Sequence, residues 1–250
     1  MTRPIAALAL SLSLFLAPPA LAWHDATHMA VVRAAGLDDF AYMAVGADMA
    51  KEKSGGHEDG NHYRNNPRGT VVTADTVLDQ VLDYNCRCGG EGHLYGAIVA
   101  AIGQYREKKG GGKYARYPLG FAAHYLGDLS MPLHNVEFNL FNQTYHAAND
   151  GVVEGEGSEP MDAKVARITD RIRARMKTLP PIQLPPAGAD VTRFNLALAK
   201  EIARIANKAI LLGYAMQEST PQRTIMTAEE AYGQLAESAA LLKGVYAALQ

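Results

Sequence analysis

Cysteine is nearly missing: the 250 residues contain two, Cys86 and Cys88, both in "NCRCGG". A framework of crosslinks is thereby excluded as the basis of the fold, and so is a four-cysteine metal cage. In an exported chain the pair leaves three states open: a small disulfide, two free thiols, or half of an intermolecular link. Excess positive charge is missing as well. The 24 basic and 26 acidic side chains leave a net charge of −2, which by composition is no polyphosphate-binding surface. Alternating apolar and polar runs, the mark of half-buried strands, are nearly absent. No apolar run after residue 22 reaches the roughly 18 residues of a membrane span. There is one tryptophan, Trp23, and no histidine beyond residue 146, so the later part of the chain is expected to be scaffold for the earlier part.

What is present begins with a leader. Arg3 supplies a positive charge, "IAALALSLSLFLA" (5–17) an apolar run short for a bilayer span, and Ala20, Leu21 and Ala22 a small-x-small site. This pattern predicts a signal peptide over 1–22, cleaved after Ala22, with an uncleaved anchor as the alternative. The mature chain, 23–250, is then exported, periplasmic or secreted, with Trp23 as its amino-terminal residue. Its size suits one core.

Apolar residues recur at helical spacing in "MAVVRAAGL", "TVLDQVLDY", "LYGAIVAAIGQY", "AKVARITDRIRARM", "FNLALAKEIARIANKAILLGYAM" and "EEAYGQLAESAALLKGVYAAL". Thr227 and Glu230 form a capping box before the last of these, because hydroxyl and carboxylate each satisfy the other residue's free amide. Gly-, Pro- and Asn-rich breaks at "KSGGHEDGNHYRNNPRG", "CGGEG", "KKGGGK", "VEGEGSEP" and "LPPIQLPPAGA" mark loops. Only two helices follow the proline-rich break at 179–189, so it reads as a crossover within one body. The expected fold is all-α, a single-domain multi-helix bundle over 23–250.

The eight histidines stand at 24, 28, 57, 62, 93, 124, 134 and 146. In "HYLGDLSMPLH", His124 and Asp128 are four residues apart and share a helix face, so both can reach one metal ion. Pro132 disturbs that helix and lets His134 face the same cavity at a new angle. "YHAAND" repeats the four-residue offset with His146 and Asp150. Upstream, "GADMAKEKSGGHEDGNHY" carries Asp48 and, beyond a loop, His62; His57 competes with His62 for one role.

In these residues the chain resembles the zinc-dependent bacterial phospholipases C and the fungal single-strand-specific nucleases. The resemblance rests on Trp23, the spaced Asp48 and His62, "HYLGDLSMPLH" and "YHAAND", and runs by motif over about 23–150. It implies three zinc ions. One is held by Asp48, His62, His124 and Asp128. The second is held by Trp23, through its free α-amino nitrogen and carbonyl oxygen, with His28 and a bridging Asp128. His134, His146 and Asp150 hold the third. Signal cleavage would then complete a metal site, which accounts for a tryptophan at the cut. The resemblance further implies phosphodiester hydrolysis at a two-zinc centre, with Asp48 as general base and a phospholipid or other phosphodiester as substrate.

The shorter chain, the "HYLGD" wording and the lack of nuclease-type Gly-Gly-Asn segments favour the phospholipase C branch. The five-residue step from Trp23 to His28 favours the nuclease branch, where nucleic acid is the substrate. Where choline-selective members have aromatic residues, this chain has Met49 and Asp59. Ethanolamine, glycerol or inositol headgroups, or a non-lipid diester, become the expectation. A third reading is an exported helical zinc-binding protein without catalysis. A monomer with peripheral membrane contact is expected. His24 and His93, "RIRARMK" (171–177) and the tyrosines at 114, 117 and 125 read as structural or solvated.

Overall fold

Helix α5 (Tyr117–Leu129) holds the architecture together. Pro118 stands in its first turn, where a missing amide hydrogen costs nothing. The rest of its length is apolar apart from His124 and Asp128, and both of these are fully buried. In chain order the other helices are α1 (Asp25–Ala34), α2 (Gly46–Lys51), α3 (Ala74–Asp79), α4 (Leu94–Lys108), α6 (Leu140–Asp150), α7 (Met161–Met176), α8 (Val191–Glu218) and α9 (Ala228–Ala248). The computed structural model describes residues 23–51, 53–155 and 158–250, and the expected leader and its cleavage site lie outside the described residues. Among those described, every regular element is helical, so the all-α expectation holds.

Two apolar clusters form the interior. In one, Tyr95, Ile98 and Ile102 of α4 meet Leu126 and Leu129 of α5, together with Phe194, Leu198 and Ile202 of α8. In the other, Trp23 and Val31 pack with Val165, Ile168 and Ile172 of α7 and Leu235 of α9. Met29 and Tyr214 touch both, so the clusters are continuous. Helix α9 is tied directly to α5, because the Ser238 hydroxyl donates to the Leu126 carbonyl. The carboxy-terminal helices thus act as scaffold, supplying packing to the helix that carries His124 and Asp128.

Local chemistry sets the element ends. Thr227 and Glu230 make the expected capping box on α9, and Asn139 and Asp190 cap α6 and α8. The proline-rich 179–189 segment is a non-helical crossover whose Ala187 amide donates to the Ala248 carbonyl at 2.9 Å. One difference lies at 76–84, where the periodic run is split: α3 ends at Asp79 and Gln80–Asp83 is a 3-10 turn. Gly96 of α4 sits directly on the Gln80 backbone there, an approach that only a residue without Cβ permits. No described helix is long and apolar enough to cross a membrane.

Candidate metal centre

Asp128 is the hub. It is fully buried on α5, and its two carboxylate oxygens meet different histidines. Oδ2 lies 3.1 Å from Nδ1 of His62 and 3.3 Å from Nε2 of His124. Oδ1 lies 3.5 Å from Nε2 of His28 and 3.8 Å from Nδ1 of His134. His124 is one helical turn earlier, as its spacing predicts. α5 ends at Leu129, and Pro132–His134 forms a 3-10 turn that brings His134 back to the same carboxylate.

Asp48, on the short helix α2, completes the first cluster. Its Oδ1 is 3.6 Å from both His62 Nδ1 and His124 Nε2, and those two nitrogens are 3.2 Å apart. A tetrahedral zinc ion with bonds of about 2.0–2.1 Å spaces its ligand atoms about 3.3 Å apart. The distances among Asp48, His62, His124 and Asp128 scatter around that value. His28 stacks on His124 with ring centroids 3.7 Å apart, and the His28, Asp48 and His124 donors also form a potential metal-holding group. Trp23 is wholly buried beside them, its indole donating to the Gly127 carbonyl at 3.1 Å.

The third cluster is His134, His146 and Asp150. Nε2 of His146 lies 3.4 Å from Asp150 Oδ2, and Nε2 of His134 lies 4.0 Å from Asp150 Oδ1. Both carboxylate oxygens of Asp150 and both Nε2 atoms are buried without a hydrogen-bond partner, as are both ring nitrogens of His28 and Asp128 Oδ1. Buried polar atoms are ordinarily paired. Arg64, Gln80 and Gln217 also carry unpartnered buried atoms, but only in these clusters do orphaned imidazole nitrogens and carboxylate oxygens face one another, and such a set fits a cation.

The tautomers agree. Nδ1 of His124 donates to the Ala44 carbonyl at 2.7 Å, Nδ1 of His134 to the His62 carbonyl at 2.6 Å, and Nδ1 of His146 to Asn142 Oδ1 at 2.6 Å. With the proton fixed on Nδ1, each Nε2 presents a lone pair to its cluster.

Burial and mutual charge set the ionisation of the metal-free chain. Burial, then the neighbouring His124, pushes His28 down to about 3. For Asp48, burial works upward, but His124, Lys51 and His62 outweigh it and hold the carboxyl at about 2. Asp150, buried and close to Asp128, is raised well above the usual carboxylate range. For His124, burial is outweighed by Asp128 and Asp48, and the ring is raised.

His57, the competitor of His62, stays outside: it is exposed, with Nδ1 against the Asn85 carbonyl at 3.1 Å. His93 precedes α4 and bonds Asn61, and His24 precedes α1. Cys86 and Cys88 are joined as a disulfide. Sequence reasoning overlooked Lys51 and Glu58 and read Tyr125 as structural only. Lys51 forms an ion pair with Asp48 at 3.1 Å, while Glu58 and Tyr125 form a buried pair behind His62. Lys51 sits at i+3 from Asp48, a spacing that could have flagged it.

A cavity of about 380 Å³ opens beside the clusters, lined among others by Lys51, Asp59, His62, Tyr63, Phe138 and His146. It joins a cation, carboxylate and imidazole groups, and aromatic faces.

No protein-family model matches the chain, and no curated protein matches it either. Fold and site together define an all-helical protein with three buried His/Asp clusters that can hold metal ions.

Proposed function

We propose that the protein is an exported, zinc-dependent phosphodiester hydrolase, acting as a phospholipase C that releases a phosphorylated headgroup from a phospholipid. The observation that supports it most is Asp128, one carboxylate shared between two adjacent donor groups, with His62 and His124 at one oxygen and His28 at the other. Paired metal sites that share a carboxylate suit phosphoryl chemistry. In this reading the freed α-amino group of Trp23 joins His28, which is why export and activity go together. The third cluster, at His134, His146 and Asp150, lies within reach of the same cavity.

Zinc, when bound, polarises water and neutralises phosphate charge. The chain's own groups do the rest. Asp48, paired with Lys51 of the cavity wall, accepts the proton of the attacking water. The Lys51 ammonium offsets negative charge on the phosphate. Water adds to phosphorus, the bond from phosphorus to the glycerol oxygen breaks, and diacylglycerol leaves with a proton. Asp59 on the cavity wall, and the absence of an aromatic residue at 49 and 59, argue for an ammonium or polyol headgroup over choline.

The test uses protein expressed with its leader in an exporting host, its amino terminus read by mass spectrometry, and loaded with zinc. Chelator-sensitive release of headgroup phosphate from a phospholipid panel is the expected result. Asp48→Asn and Asp128→Asn should each lower turnover by at least about 100-fold. Cleavage of single-stranded DNA or RNA with lipid left intact would move the protein to the nuclease reading. Inactivity on both classes overturns hydrolysis and leaves a zinc-binding protein.

A further inference from the structure

We propose that Glu58 is the positioning residue for His62, its buried carboxylate accepting from the Nε2 N–H so that Nδ1 is presented bare to Asp48, His124 and Asp128. The proposal rests on reading that cluster as a metal centre.

His62 differs from the other three imidazoles whose tautomer is fixed. His124, His134 and His146 all spend Nδ1 on an oxygen and turn Nε2 inward. His62 is reversed: Nδ1 faces the cluster, at 3.1 Å from Asp128 and 3.2 Å from His124. To act as a ligand it must carry its proton on Nε2, and that buried N–H then needs an acceptor. Nε2 has no hydrogen-bond partner, and the acceptor in front of it is Glu58 Oε1 at 3.7 Å. That gap exceeds hydrogen-bond reach by about 0.5 Å, which a small tilt of the ring closes.

Glu58 is held there by other donors. It is 5% exposed, Asn61 Nδ2 donates to Oε2 at 3.0 Å, and the Tyr125 hydroxyl donates to Oε1. Asn61 is fixed in turn by Asn85 and His93. Among the described residues no lysine or arginine pairs with Glu58, and His62 is the basic side chain that faces it. Tyr125 follows His124 on α5, so one dipeptide supplies a ligand and anchors the group that orients another. A carboxylate behind an imidazole makes the opposite nitrogen a stronger donor, and its removal typically lowers metal affinity 10- to 100-fold.

The experiment compares the exported wild type with Glu58→Gln, by zinc titration against a competing chelator and by long-range ¹⁵N–¹H correlation of the histidine rings at a zinc concentration that just saturates the wild type. The wild type should show His62 protonated on Nε2 and three zinc equivalents. In Glu58→Gln one zinc should weaken about 10- to 100-fold with the other two unchanged, the His62 proton should move toward Nδ1, and His134 and His146 should stay as they were. Glu58→Asp should recover part of the loss. If Glu58→Gln does not fold, Tyr125→Phe, which removes one anchor, should shift the same signals by less. Unchanged His62 tautomer and unchanged zinc affinities in a folded variant overturn the proposal. If the wild type takes up no zinc, the metal-centre reading fails and the tautomer alone decides the role of Glu58.

Discussion

Gly127 stands between the ligand pair of α5, and its lack of a side chain has a consequence for His28. A Cβ there would lie 2.5 Å from His28 Nδ1, inside any real contact distance. Gly127→Ala should therefore push the His28 ring off His124 and Asp128. We expect one zinc equivalent to be lost or much weakened, with destabilisation of about 1–3 kcal/mol from overpacking, read by zinc titration and by urea unfolding. Unaltered zinc binding would mean that His28 is not a ligand. Four of the candidate ligands were visible as residues in the sequence because they repeat a four-residue offset, His124 with Asp128 and His146 with Asp150. Glu58 and Tyr125 were not, because their partnership with His62 is a long-range contact that no local spacing encodes. His62 itself was separable from His57 only once the loop between Asp48 and His62 had a path in space.

Elements differ in how firmly their own sequence holds them. Helix α9 has a full capping box, and Thr227→Ala should lower stability by about 1 kcal/mol while leaving zinc binding intact, because the Thr227 side chain is exposed and bonds only within the cap, to Glu230. Helices α4, α7, α8 and α9 were legible from apolar periodicity because each lays one face on an interior cluster. The stretch Asp38–Val45 showed no such period and folds as a 3-10 helix, held against α5 by the close approach of Gly120 to Met43. That contact places the Ala44 carbonyl under His124 Nδ1, so an element invisible in the sequence sets a ligand's tautomer. The disulfide of Cys86 and Cys88 was one of three states the sequence allowed, since spacing alone does not decide the oxidation state.

For the whole molecule, a cavity full of unpaired donors trades stability for binding. His28 takes a proton at 6.5 when unfolded but only at about 3 when folded, so unfolding becomes easier as pH falls from 6.5 toward 3. Asp48 adds to this: its folded value of about 2 lies below the unfolded 3.8, and the stability it contributes above 3.8 is lost as pH falls through 2. Asp150 runs the other way. Its folded value is raised above 3.8, so the metal-free protein loses stability as pH rises past that point. Chelator-treated Asp150→Asn should accordingly melt higher than chelator-treated wild type at pH 7, yet gain less from added zinc. Melting curves with and without zinc at pH 5 and 7 check both signs. A variant that melts lower without metal, or that gains as much from zinc, would contradict this account.

The central claim is that the three buried His/Asp clusters hold metal ions together, and the metal content of the exported protein tests it most directly. Protein equilibrated with trace zinc, desalted and analysed by elemental mass spectrometry should carry three zinc ions per chain, falling to two in Asp150→Asn and to one or none in Asp128→Asn. Wild-type protein with no zinc above the buffer blank, or with a content unaffected by either substitution, would contradict it.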